Sequence, residues 1–257
     1  MKTVVVTGAA QGVGYAAAAL LARLGYRVVL TDLKPLDARV QQLQDAGGQA
    51  LGISGDVASE PFVRGLAERL ARDYGATDAL VNNAGISLIA PAESTSAEQW
   101  HHVMNVNLCA PFLLCKYLGA QMLSRGRGSI VNVASVAGLS GIAHRSAYNA
   151  SKHGLIGLTR TLAAEGGGRG VRVNAVCPGW IKTEMDVADQ GGGAYSDADI
   201  VNRVPMARFA SAEDVAQAIA MLLDEERSAF INGVALPVDG GWIADGGWES
   251  LRVRARS

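Results

Sequence analysis

The chain has 257 residues, 49% of them hydrophobic, and its 23 basic residues nearly balance 24 acidic ones. That length and apolar content suit one large α/β domain with a substantial core. Near-neutral charge leaves no basic footprint for nucleic acid, and Asp, Gly, Arg or Pro breaks every apolar run well short of the roughly 20 residues that a membrane span needs.

The first predicted strand, Thr3–Thr7, starts close to residue 1, so no signal peptide is expected. It runs into Thr7-Gly8-Ala9-Ala10-Gln11-Gly12-Val13-Gly14, and helical periodicity follows over Tyr15–Leu24. Glycines permit a tight turn and let a pyrophosphate approach the backbone, next to the N–H groups and positive dipole end of a helix. The next strand, Val28–Thr31, is followed by Asp32, 18 residues past Gly14 and close to the spacing of a ribose-binding carboxylate. Such a carboxylate accepts both ribose hydroxyls and repels a 2′-phosphate, which favours NAD over NADP. Gln11 rather than a basic residue stands at the tip of the glycine loop, and Lys34 follows the apolar Leu33. A helix or turn cap is the other reading of Asp32.

Helical periodicity over Pro61–Tyr74 precedes a strand at Ala79–Asn82, and a long apolar helix spans Trp100–Leu123 with Asn107 inside it. The strand Ser129–Ala134 leads to Ser135, and the helix Ala147–Ala164 carries Tyr148 and Lys152 four residues apart, on one face. A nearby ammonium lowers the pKa of a phenol from its ordinary value of about 10. A hydroxyl such as Ser135 holds a substrate oxygen beside that phenol. Together they move a proton to or from an alcohol. A strand at Arg172–Val176 continues the alternation, which implies a parallel, doubly wound sheet. The strand runs are apolar on both sides of the pleat, as expected where helices cover both faces. No linker-like shift in composition divides residues 1–257.

Two segments break the alternation. Lys182–Val204 is polar, includes Gly191, Gly192 and Gly193, and follows a strand end, where ligands sit in open α/β sheets. A substrate lid over 182–204 is the expectation; an ordinary surface excursion is the alternative. The tail, 239–257, carries Asp-Gly-Gly-Trp at Asp239–Trp242 and again at Asp245–Trp248, before a basic end with Arg252, Arg254 and Arg256. Its tryptophans call for burial on the home domain or on a neighbouring subunit. Cys109, Cys115 and Cys177 show neither disulfide nor zinc spacing and are read as small buried hydrophobes in a reducing cytoplasm.

Taken together, these residues resemble the short-chain dehydrogenase/reductase family over nearly the whole chain. Thr7–Gly14 is similar to its cofactor loop, Asn82-Asn83-Ala84-Gly85 to its motif after the fourth strand, and Pro178-Gly179 with Thr183 to its later nicotinamide-side segment. Asn107, Ser135, Tyr148 and Lys152 fall where its catalytic tetrad stands. The resemblance implies a Rossmann fold with a small substrate lid, a homotetramer paired through the two long apolar helices, and hydride transfer between NAD and a secondary alcohol or ketone. It implies that Gly8, Gln11, Gly12, Val13 and Gly14 receive the pyrophosphate end, and that Asp32 binds the ribose. Asp56 and Val57 would border the adenine, or Asp56 would simply start the next helix. Asn83 and Gly85 would admit the second ribose, with a purely structural Asn83 left open. Tyr148 and Lys152 also meet the cofactor, and Pro178, Ile181 and Thr183 lie at the carboxamide end. Asn107 would hold a water linking Lys152 to solvent, or serve as a buried amide satisfying backbone groups.

Trp180, Trp242 and Lys152-His153-Gly154 resemble the 3-hydroxybutyrate dehydrogenase branch of that family. That branch carries a lysine where this chain has Arg145, a cation able to hold a carboxylate bidentately or an ordinary surface residue. Its remaining carboxylate-holding groups are replaced here by Ser87 and Ala137, which counts against hydroxybutyrate itself. His144 is either a substitute polar group or surface decoration. Small or cyclic secondary alcohols fit better, with polyols a close competitor. The alternatives are an NADPH-dependent 3-oxoacyl thioester reductase and a non-catalytic nucleotide sensor. A sensor is expected to lose Tyr148 or Lys152, and this chain keeps both.

Overall fold

The structure is a computed structural model that describes residues 1–182, 187, 189 and 195–247. Among these, β1 (Thr3–Thr7), β2 (Arg27–Thr31), β3 (Gln49–Gly52), β4 (Ala79–Asn82), β5 (Gly128–Val133), β6 (Val171–Pro178) and β7 (Ala235–Val238) form one sheet in the order β3-β2-β1-β4-β5-β6-β7. Every neighbouring pair is parallel. Strand order reverses between β1 and β4, which opens a crevice at the carboxyl ends of the two. The doubly wound Rossmann architecture expected from the sequence is the one observed.

The two-residue period of the strands explains the layering. Val4, Val6, Val28 and Leu30 point to one face and pack with Ala17 and Leu21 of α1 (Gly12–Arg23) and Ile219 and Leu222 of α7 (Ala212–Leu223). Val5, Val29, Leu80 and Ile130 point to the other. They pack with Val63 and Leu70 of α3 (Glu60–Tyr74) and Leu114 and Leu118 of α4 (Ala97–Arg125). Three further helices complete the set used below: α2 (Asp37–Asp45), α5 (Ser146–Gly167) and α6 (Asp197–Arg203). β3 and β7 were not marked by β-branched runs in the sequence; both are four-residue edge strands with few fully buried side chains.

One expectation needs correction. α4 is long and apolar enough by length and composition to cross a membrane, although short runs within it are interrupted. Here its inner side chains are buried on the sheet, while Lys116 on its outer side pairs with Glu60 of α3 at 2.8 Å. Two π-helical turns, Asn105–Cys109 and Cys115–Gly119, lie within it. Such turns frequently accompany functional positions, and the first contains Asn107.

A buried polar chain ties the site-bearing elements together. Asn82 Nδ2 at the end of β4 donates to Asn132 Oδ1 on β5 at 2.7 Å. Asn132 Nδ2 donates to Thr159 Oγ1 on α5 at 2.8 Å, and the Thr159 hydroxyl donates to the Leu155 carbonyl. Asn132→Ala removes the centre of this chain, taking from Asn82 its 2.7 Å acceptor and from Thr159 its donor. The expected cost is about 1–3 kcal/mol of stability, measured by urea denaturation.

Candidate active site

A cavity of about 460 Å³ opens at the carboxyl ends of the strands, lined from Gly8 and Asp32 at one end to Trp180 and Tyr195 at the other. At the first end, the chain leaves β1 through Gly8, whose φ of +62° is a left-handed conformation that side chains other than glycine rarely adopt. Gln11 occupies the N-cap of α1 but its side chain does not cap the helix, so the first-turn N–H groups face the cavity through Gly12 and Val13. Gly14 plays a different part from the one expected. It is buried and does not line the cavity; a Cβ there would come within 2.1 Å of the Gly8 carbonyl oxygen. Its role is close packing of helix on turn, and Gly8, Gly12 and Val13 are left to approach a ligand.

Asp32 shows the geometry of both its readings. Its carboxylate accepts the Ala10 N–H at 3.0 Å and the Lys34 N–H at 2.9 Å, so it braces the turn while lining the cavity. Two basic groups that the sequence left unplaced also reach this end. Lys34 Nζ donates to the Gln11 side chain, and Arg39 on α2 donates to the Ala10 carbonyl at 2.9 Å while stacking over Tyr15. Asp56 accepts from the Ala58 N–H at 2.8 Å, and Val57 forms the wall beside it. Glycine turn, uncapped helix start and diol-sized carboxylate match what a dinucleotide offers, so the residues present fit such a cofactor.

The middle of the cavity holds the expected tetrad, with one difference in role. Lys152 on α5 is almost fully buried and donates to the Val133 carbonyl at 2.8 Å. Burial pushes its ammonium down from the ordinary 10.5 to about 8. Tyr148 lies one turn earlier, with its ring centroid 5.6 Å from Lys152 Nζ. Its phenol is pushed up, not down: loss of solvent outweighs the neighbouring Ser135 hydroxyl and the positive charge of Arg145. Depression of the phenol by Lys152, expected from the spacing, is therefore not a property of the protein alone. Ser135 also accepts the Ala137 N–H at 3.1 Å, which orients its oxygen at the mouth of the β5 turn.

Asn107 and Asn83 adjoin this centre, and the side-chain amide of each is bonded to backbone. Asn107 exchanges two 2.9 Å hydrogen bonds with the backbone of Ile86 and donates to Ser151 Oγ at 3.1 Å. Asn83 Nδ2 donates to the carbonyls of Thr7 and Gly8 at 2.9 and 3.0 Å. Gly85 lies between the two halves; a Cβ on it would meet Asn107 Oδ1 at 3.3 Å and Lys152 Nζ at 3.5 Å. The two remaining buried thiols are inert by burial: Cys115 is pushed up to about 12 and Cys177 to about 11. Cys109 is exposed, unlike the buried residue expected from composition.

At the far end, Pro178 closes β6 and Trp180 and Ile181 line the wall. Trp180 packs against Trp242, with ring centroids 5.0 Å apart, so the first tail tryptophan is half-buried on the home domain. Arg145 is buried, not a surface residue, and pairs with Asp189 at 2.9 Å and with Ser87 at 2.8 Å. His144 is exposed and is not a substitute ligand group; its φ of 60° instead shapes the turn ahead of Arg145. Asp189 and Tyr195, where the 182–204 segment is described, face the cavity. Thr183, Gly191–Gly193 and the second tail tryptophan lie outside the described residues. Asp189, Arg39 and His102, which also lines the cavity, were missed because nothing local in the sequence brings them to the site.

A family profile described as Enoyl-(Acyl carrier protein) reductase matches residues 8–243. The chain is 40% identical over 243 residues to a D-threitol dehydrogenase of Mycolicibacterium smegmatis, covering 94% of this chain and 92% of the relative. It is 41% identical over 245 residues to a cis-4-hydroxycyclohexanecarboxylate dehydrogenase of Sinomonas cyclohexanicum, covering 95% and 97%. Among solved structures, a putative NAD(P)-dependent gluconate 5-dehydrogenase from Beutenbergia cavernae, with NADP bound at low occupancy, superposes with a TM-score of 0.90 at 39% identity, over 95% of this chain and 97% of that one.

The buried ammonium generates a pH signature. A base whose pKa falls on folding binds its proton more tightly in the unfolded chain, so its burial costs stability below about pH 8, and that cost fades as pH climbs toward 10.5. Stability of the unliganded protein should therefore rise relative to that of Lys152→Met across this window. Parallel melting curves of the two proteins between pH 7 and 10.5 check it; a constant gap would show that Lys152 is not the titrating group.

Proposed function

The chain belongs to the short-chain dehydrogenase/reductase family and is an oxidoreductase, and from that premise we propose that it transfers hydride between NAD(H) and a secondary alcohol or ketone. One observation carries the reading: the Tyr148 phenol, one helical turn from the buried Lys152, faces the cavity together with Ser135, and the other end of that cavity is the glycine turn. Relatives named for a polyol and a cyclic hydroxy acid support an alcohol substrate.

In the oxidation direction, Tyr148 Oη takes the hydroxyl proton of the substrate. Ser135 Oγ donates to the reacting oxygen and steadies the charge that develops there. Lys152 holds a positive charge beside the ring and favours the phenolate; with the cavity filled, this attraction acts against the burial that raises the phenol. Asn107 fixes the Ile86 loop and the Ser151 end of α5, which positions Lys152 opposite Val133. A bound nicotinamide supplies the hydride acceptor. Gly8, Gln11, Gly12 and Val13 would hold its pyrophosphate, Asp32 its adenosine ribose, Asp56 and Val57 its adenine, and Asn83, Gly85, Pro178, Ile181 and Thr183 its nicotinamide half. The proposal includes a cytoplasmic homotetramer; Phe112 on α4, 49% exposed, offers apolar surface for a second copy to cover. Lys34 and Arg39 beside Asp32 favour a second reading, NADPH-dependent reduction of a 3-oxoacyl thioester.

Tyr148→Phe should lower kcat on the order of 10²–10⁴-fold or more, with cofactor affinity by fluorescence titration kept; near-normal turnover would remove Tyr148 from the reaction. Asp32→Ala should weaken NAD more than NADP, since only NAD gains from both ribose hydroxyls meeting a carboxylate. Equal losses for the two cofactors in the same titration would refute the NAD preference.

A further inference from the structure

Arg145 and Asp189 form an ion pair inside the cavity that the proton transfer does not use. Their closest nitrogen and oxygen are 2.9 Å apart, and the side chains are only 10% and 15% exposed. Ser87 completes a closed triangle: its oxygen accepts from Arg145 Nη1 at 2.8 Å, and its hydroxyl donates to the same Asp189 oxygen at 3.1 Å. The triangle adjoins the reactive phenol, with the Arg145 guanidinium carbon 5.8 Å from the Tyr148 ring centroid. Arg145 and Asp189 line the same cavity as Ser135 and Tyr148, so a substrate whose carbinol oxygen sits between Ser135 and Tyr148 can turn a neighbouring substituent toward the triangle.

The charge of this triangle decides what it welcomes. Arg145 and Asp189 cancel each other. A substrate carboxylate would have to stand beside the Asp189 carboxylate where charge is poorly screened, or displace it from Arg145. A hydroxyl meets no such conflict, because it donates to Asp189 and accepts from Arg145. Trp180, backed by the tilted ring of Trp242, supplies the neighbouring apolar wall for a carbon skeleton.

We propose that Arg145, Asp189 and Ser87 form a hydroxyl-binding subsite, and that the substrate is an uncharged vicinal diol or longer polyol rather than a hydroxy acid. The proposal rests on Tyr148 as the acid/base of an alcohol dehydrogenase. The test is steady-state kinetics with NAD and with NADP on three four-carbon compounds: butan-2-ol, butane-2,3-diol and 3-hydroxybutanoate. The diol should exceed the hydroxy acid in kcat/KM by roughly tenfold or more. Asp189→Asn should shrink or invert that ratio, lowering the diol value and raising that of the hydroxy acid. A wild-type preference for the hydroxy acid over the diol, or a ratio unmoved by Asp189→Asn in a variant that melts like wild type, overturns the subsite while butan-2-ol turnover leaves the dehydrogenase reading standing. No turnover of any of the three overturns that reading, and the subsite with it.

Discussion

The amide of Asn83 joins the two halves of the sheet at the point where strand order reverses. From the end of β4 it donates to both the Thr7 and Gly8 carbonyls at the end of β1. With that turn pinned, α1 seats its Gly14 against Gly8 so closely that no side chain fits between them. The helix start then faces the crevice between β1 and β4, and the loop after β4 is carried toward Asn107 and Lys152. Cofactor end and proton-transfer end are thus set by the same few hydrogen bonds, which is why one cavity contains both.

The polar centre is built against the usual preference for solvating charge. Lys152 has a single backbone acceptor, and Tyr148 loses water without gaining a full countercharge. Burial works against the charged form of both. Preorganisation here means holding the two groups in a poorly screened cavity, where a further charge brought by a ligand acts strongly on them.

Much of this could be read along the chain, and the limits have a physical pattern. Strands such as Thr3–Thr7 and Ala79–Asn82 announce themselves because both pleat faces are buried. Ser135, Tyr148 and Lys152 were visible because a strand end and one helical turn are local geometry. β3 and β7 were not, because edge strands need no continuous apolar run. Arg145 could be named but not interpreted: its partners Ser87 and Asp189 are 58 and 44 residues away. Arg39 became relevant only once α2 folded back over Ala10. The direction of the Tyr148 shift also lay beyond the sequence, since spacing reports a neighbouring cation but not the loss of water.

The Trp180–Trp242 contact has a consequence for how the protein is made. Trp180 follows β6, whereas its partner arrives beyond β7, after every other strand has been synthesised. During vectorial synthesis the glycine turn, α1 and the tetrad can all be in place while Trp180, which lines the cavity, still lacks the ring that packs against it. A nascent chain thus has the residues of the site before the wall beside them is braced.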